Sequence, residues 1–197
     1  MEFLELCKKI ILIDSSPKNG TEDIALFSKS ICEAAGLTVE LQEGFLEGKR
    51  QFNILARPPQ SKRKNEVLFQ THLDTVEPGP NAAWSKTDHN AFKATIRDGK
   101  IYGLGTADVK LDFLCKLRAL KAFASTKMSR PFVLVGTFGE ELNMEGAKLL
   151  IDSKITDAKM TLIGEPSELQ IVHANNGYGA VTIRIPFSDL EKKFKAQ

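Results

Sequence analysis

The sequence predicts an α/β domain: a mixed, largely parallel central sheet flanked by helices. Three observations lead there. Short β-rich runs alternate with segments of helical periodicity along most of the chain. Two of those runs, PFVLVGTF (131–138) and MTLIG (160–164), are almost continuously apolar, the pattern of strands covered on both faces. The acidic and imidazole side chains best suited to chemistry fall where such runs end.

Each element has a local justification. Phe3, Leu4, Cys7, Ile10 and Ile11 recur at helical spacing and predict an amphipathic helix over 2–13. Thr21, ahead of Glu22 and Asp23, fits the N-cap of a second helix with Ile24, Phe27, Ile31 and Ala34 on its apolar face and Gly36 at its end. LTVELQ (37–42), FNILA (52–56) and EVLFQTHL (66–73) read as strands. Asp98-Gly99, inside ATIRDGKIYGLG, is a hairpin signal. Beyond Asp108, the spacing of Phe113, Leu114, Leu117 and Leu120 predicts a helix, and MEGAKLLIDS (144–153) reads as another. QIVHA (170–174) and AVTIRI (180–185) read as strands turned around Asn176-Gly177, and FSDLEKKFKAQ as a short polar helix or frayed end. No linker or internal repeat precedes residue 186, so residues 1–185 read as one domain and 186–197 as a tail.

Composition narrows the function. Of 197 residues, 42% are hydrophobic and 26% charged, ordinary values for a globular domain. A net charge of +2 is too small to imply a nucleic-acid or membrane-surface partner. The basic cluster SKRKNE (61–66) is short and reads as a solvated loop between strands. Cys7, Cys32 and Cys115 are odd in number, widely spaced and without a CxxC pair, which predicts reduced, mostly buried thiols and a cytoplasmic setting. MEFLELCKKIILIDS carries charges through its apolar pattern and is no secretory signal, and no run approaches the ~20 apolar residues of a membrane span.

The chemistry-bearing residues share one context. His72 follows EVLFQ, Asp108 follows KIYGLG, Glu140 and Glu141 follow PFVLVGTFG, and Glu165 follows TLIG. Ligands of open α/β sheets bind beyond the carboxyl ends of the strands, so neighbouring strands would gather one imidazole and several carboxylates in one crevice. That is a zinc-type ligand set, and carboxylates can also bridge two ions. His72 and Asp74, two apart in an extended segment, project to the same side, so the Asp74 carboxylate could accept from the ring nitrogen facing away from a metal. Gly103 and Gly105 would allow a tight turn before Asp108. Adjacent Glu140 and Glu141 cannot point the same way, so one can ligate while the other serves as general base. Singly, each has a structural reading: a hydrogen-bonded strand-end histidine, a solvated Glu pair, an Asp N-cap. Their repetition after successive strands is what points to a site.

The motifs THLDTVEPG (71–79), KIYGLGTADVK (100–110), TFGEEL with MEGAKLL, and LIGEPSELQ (162–170) occur in the order of a known family. Over residues 1–185 the chain resembles the co-catalytic metallohydrolases that include acetylornithine deacetylase, succinyl-diaminopimelate desuccinylase, aminoacylase and related peptidases, with IYGLGTADVK and IGEPSELQ most similar to the first. The resemblance implies a zinc-peptidase-like catalytic domain that holds two divalent metal ions, zinc first and cobalt as the alternative. It implies that His72 is a ligand to one metal, that Asp108 bridges the ions, that Glu141 and Glu165 are the remaining carboxylate ligands, one on each ion, that Glu140 is the general base and that Asp74 partners His72. The implied reaction is hydrolysis of an N-acyl amino acid, N-acetylornithine before N-succinyl substrates or a small peptide, as in arginine biosynthesis. A non-catalytic metal-binding module is the rival reading.

The chain also departs from that pattern. Leu111 stands where the family has glycine, Gly139 where it has an acidic residue, and Asn143 where it often has a small one. Relatives insert a lid domain, through which they often homodimerise, and a returning segment; these bring further histidines to the site. This chain is expected to lack both, with the tail 186–197 in place of the lid. His89 and His173 match no ligand position of the family.

Overall fold

Strand β6 shows why the chain forms layers. In the computed structural model, residues 2–122 and 129–174 and Val181 are described. In chain order the elements are α1 (Phe3–Leu12), α2 (Glu22–Ala34), β1 (Thr38–Leu46), β2 (Lys49–Arg57), β3 (Glu66–His72), β4 (Thr95–Arg97), β5 (Lys100–Tyr102), α3 (Lys110–Ala122), β6 (Phe132–Thr137), α4 (Glu145–Asp152) and β7 (Ala158–Ile163). Every residue of β6 is buried. Its side chains alternate between two cores, as the period of a strand requires. Phe132 and Leu134 join Ile54, Ala56 and Leu73 against α1, α2 and α3, through Ile10, Ile11, Ile24, Cys32, Phe113 and Leu114. Val133 and Val135 join Leu55, Leu68 and Leu150 on the face that α4 covers.

The main sheet has the order β1-β2-β6-β3-β7, and β4-β5 form a separate hairpin. β3 is parallel to β6 and β7, whereas β2 is antiparallel to β6 and to β1. β2 therefore runs against the other strands, and the sheet is mixed with most strands in one direction. The three strands that carry the candidate site, β6, β3 and β7, are adjacent and end together. The residues Met1–Pro166 form one compact unit and Ser167–Gln197 a second.

Most elements lie where the sequence places them, and the differences have physical causes. MTLIG is not buried: Met160 is 60% and Ile163 58% exposed. Among the described residues β7 pairs with β3 alone, and an apolar run reports what a strand is made of, not how many neighbours cover it. QIVHA forms no strand, while AVTIRI apart from Val181, its turn, the tail and the 185/186 boundary lie outside the described residues. Thr21 precedes α2 but makes no side-chain cap; its hydroxyl donates instead to Gln51 Oε1 at 2.7 Å, tying α2 to β2. Cys7 and Cys32 are buried, but Cys115 is exposed, on the outer side of α3. The cluster 61–66 is exposed as expected over 62–65, but Glu66 is buried as the first residue of β3, where it pairs with Arg57.

Two features of the frame carry expected effects. Arg57 and Glu66, 5% and 0% exposed, form a buried ion pair between β2 and β3, with Nε 2.7 Å from Oε1, and Arg57 also donates to Ile155 O at 3.2 Å. Removing one partner strands a buried charge. Arg57→Met therefore lowers unfolding stability by about 3–5 kcal/mol in chemical denaturation, and Glu66→Met added to it recovers most of the loss. Gly146, in the first turn of α4, is the second case. A Cβ there would lie 2.5 Å from Asn53 Oδ1 and 2.7 Å from Phe138 N. An exposed helical Gly→Ala change stabilises by about 0.5–1 kcal/mol. Here the overlap wins, and Gly146→Ala destabilises by about 1–3 kcal/mol, read from the same denaturation curves.

Candidate metal centre

The site is assembled where parallel strands stop. His72 is the last residue of β3 and is fully buried. Leu73 N–H donates to Thr137 O at 2.8 Å, so β3 and β6 stay paired to the edge of the crevice. Glu140 and Glu141 follow β6 after Gly139, whose φ of 67° turns the chain out of the strand. Glu165 follows β7 by two residues, and Gly164 N–H still donates to Gln70 O at 2.9 Å.

Asp108 arrives from the other direction, on the turn between β5 and α3. Leu104 N–H donates to Ala91 O at 2.8 Å, and the Thr106 hydroxyl to Gly103 O at 2.8 Å. Gly105, at φ 84°, is packed by the stem of Lys110, and a Cβ there would lie 2.7 Å from the Lys110 Cδ. Lys110 is fully buried and donates to Ile13 O at 2.7 Å, pinning the start of α3 to the end of α1. Burial pulls its ammonium down to about 8, against the charges of Asp14 and Asp74. Sequence reading passed over this lysine. The available signal was its spacing from Phe113, Leu114 and Leu117, which puts a cation on the apolar face of the helix.

The geometry brings the expected residues together. His72, Glu140 and Glu141 form one group with ligand atoms within 4.8 Å of one another, and His72, Asp108 and Glu165 form a second. His72 belongs to both, whereas Asp108 belongs to one. His72 Nε2 lies 3.0 Å from Asp108 Oδ1 and 4.0 Å from Glu140 Oε2. Asp74 is near His72 but not in the expected manner. His72 Nδ1 lies 3.1 Å from the Asp74 backbone oxygen and 3.7 Å from its Oδ1. The carboxylate is engaged elsewhere, because Glu141 N–H donates to Asp74 Oδ2 at 3.0 Å. Asp74 thus touches both the imidazole and the Glu141 backbone, and its Oδ1 is a buried oxygen without a hydrogen-bond partner. His89 Nδ1–H donates to Asn81 O at 3.3 Å and belongs to neither group, and His173 is exposed.

The electrostatics show an excess of negative charge. Burial raises the Glu141 carboxyl above the ordinary range, and Asp108, Glu140 and Asp74 add to that while His72 opposes it. Glu165 is raised in the same way, by burial and then by the surrounding carboxylates against His72. Burial lowers the His72 imidazole, but Asp74, Glu165 and Glu140 outweigh it and carry it to about 9. A dication would relieve all three effects at once. One imidazole and four carboxylates at this spacing fit divalent ions of the zinc type. With Nδ1–H donating to the Asp74 carbonyl, the Nε2 lone pair of a neutral His72 faces the carboxylates.

A cavity of about 490 Å³ between Gly36, Pro58, Leu117 and Phe132 opens where β6 begins, at the opposite end of the sheet from the carboxylates.

Comparison with known proteins gives the family. The pattern of peptidase family M20/M25/M40 matches residues 68–189, and the chain belongs to that family. It is 38% identical over 135 residues to acetylornithine deacetylases of Pectobacterium carotovorum and Pectobacterium atrosepticum, a match covering 68% of this chain and 34% of each relative. The chain thus spans about a third of the length of these relatives. Among solved structures, human carnosine dipeptidase 1 matches 82% of the chain and 37% of its own, with a TM-score of 0.68 and 20% identity. An M20 family metallo-carboxypeptidase from Sulfolobus solfataricus matches 83% and 37%, with a TM-score of 0.67 and 19% identity. These two structures share the fold.

Proposed function

We propose that this chain carries the metal centre of a metal-dependent amidohydrolase that removes the acyl group from an N-acyl amino acid, N-acetylornithine first. The observation behind the reading is the pair of histidine–carboxylate groups that share His72 at the ends of adjacent parallel strands. The similarity to acetylornithine deacetylases supports the substrate class and a place in arginine biosynthesis. Zinc suits the mixed nitrogen and oxygen donors, and cobalt is the alternative metal. No helix among the described residues is long and apolar enough to cross a membrane, and the reading places the protein in the cytoplasm.

His72, Glu141, Asp108 and Glu165 would hold the ions. Ions bound there would supply Lewis-acid polarisation of the scissile carbonyl and acidify water. The chain's residues do the rest. Glu140, a third exposed and 4.0 Å from His72 Nε2, takes the proton of the attacking water at a carboxylate oxygen and passes it to the leaving amine as the C–N bond breaks. Asp74 holds the His72 ring through its backbone oxygen and the Glu141 main chain through its carboxylate, so one residue orients ligands from two strands. The half-exposed Asp108 faces the solvent side, where substrate enters.

The test is zinc uptake and hydrolysis of N-acetylornithine by the purified chain. About two ions per chain with turnover is the expected result. A chain that takes up no zinc overturns the metal reading. Zinc uptake without turnover of any N-acyl amino acid favours the metal-binding module.

A further inference from the structure

A second polar cluster lies directly beneath the candidate centre, on the α3 side of the sheet. Lys116 is 8% exposed, in the middle of α3. Its Nζ lies 2.6 Å from Asp112 Oδ2, 2.6 Å from Gln70 O and 3.2 Å from Thr71 Oγ1. Those three acceptors use all three protons of the ammonium. Asp112 Oδ2 in turn accepts from the Thr71 hydroxyl. The cluster is closed, so it has no vacant position for a ligand of its own.

Its position is informative. Gln70 and Thr71 are the residues immediately before His72 on β3. Gln70 O accepts from Lys116 and also from Gly164 N–H, the residue immediately before Glu165. Asp112, in the first turn of α3, donates its N–H at 2.9 Å to the carbonyl of Val109, the residue immediately after Asp108. The pair therefore touches the chain next to each member of the group His72, Asp108 and Glu165. It makes no hydrogen bond to the segment 138–141 that carries Glu140 and Glu141. Gly164 is shaped to this arrangement: a Cβ there would overlap the Asp112 carboxylate and lie 2.8 Å from Lys116 Nζ. Burial also pulls the Lys116 ammonium down, with the charges of Asp112 and Glu165 acting against that, so Glu165 lies within its electrostatic reach.

We propose that the Asp112–Lys116 pair is a positioning device for one of the two metal sites, the one formed by His72, Asp108 and Glu165, and leaves the site of Glu140 and Glu141 alone. This rests on the metal reading above. Lys116 joins α3 to β3 at the Gln70 carbonyl that also accepts from Gly164 N–H just beyond β7, and Asp112 holds the ammonium there from the first turn of the helix that begins after Asp108. Without the ammonium, Gln70 O loses one of its two donors, and Asp112 becomes an uncompensated carboxylate beside Thr71. The spacing of His72 and Glu165 then loosens.

Zinc titration of the full chain with a competing chelator tests this. The binding step that Glu165→Gln weakens identifies the ion of this group. Lys116→Met, which keeps the stem and removes the ammonium, weakens that same step by about 10–100-fold and leaves the other at its original affinity. Asp112→Asn, nearly isosteric, weakens the same step in the same direction and serves if the lysine variant does not fold. An unchanged step in the folded variant overturns the proposal. Equal weakening of both steps also overturns it, because that is the behaviour of a merely structural pair. An unaltered chain that binds no zinc removes the metal reading itself, a result distinct from an unaltered chain that binds zinc and a Lys116→Met chain that matches it.

Discussion

His72→Ala lowers zinc affinity by more than about 100-fold, the largest effect expected of any single change in the centre. Loss of an outer partner of a ligand costs 10–100-fold, and a direct ligand costs more. His72 is moreover the one residue shared by both candidate groups and the one imidazole in either, so its removal leaves only carboxylates among those ligand atoms. The substitution also empties a fully buried position at the end of β3. Chelator competition on the folded variant measures the affinity, and circular dichroism reports the fold. Retention of both ions at the original affinity would show that the histidine is structural and that the two groups are an accident of strand ends.

Glu140→Gln lowers hydrolysis of N-acetylornithine by about 10²–10⁴-fold, the usual loss on removing a general base, with zinc affinity close to that of the unaltered chain. The amide keeps the shape of the side chain but has no basic oxygen for the proton of the attacking water. Glu141→Gln separates the two roles, because Glu141 is proposed as ligand: it loses zinc affinity as well as rate. Turnover that survives Glu140→Gln moves the base elsewhere. Zinc lost from Glu140→Gln and kept by Glu141→Gln exchanges the assignments of the two neighbours. The comparison is informative because both residues stand in the same group around His72, and distance alone does not divide ligand from base.

The candidate residues were legible in the sequence because a strand end is a local feature. The run EVLFQ ends at a histidine, and PFVLVGTFG ends at two glutamates; neither needs a partner to be recognised. Helices α1 to α4 were legible for the same reason, since their apolar periodicity is written in adjacent turns. The β4–β5 hairpin follows from Asp98-Gly99.

What the sequence by itself determined is therefore the identity of the elements and the list of side chains at their ends. The tertiary structure decided which of them meet. Only the order β1-β2-β6-β3-β7 brings His72 between the ends of β6 and β7, and only that order puts β7 last in the sheet among the described residues although its residues are apolar. Asp74 was expected to serve His72 with its carboxylate, yet the hydrogen bond is to its backbone oxygen, with Oδ1 at 3.7 Å and Oδ2 held by Glu141, sixty-seven positions along the chain. Lys110 and Lys116 read as ordinary helix lysines until their acceptors, Ile13 O and Gln70 O, arrive from remote segments. The physical reason is the same in each case. Propensity and periodicity act over a few neighbouring residues, whereas burial, charge and hydrogen-bond satisfaction are set by whatever the fold places nearby.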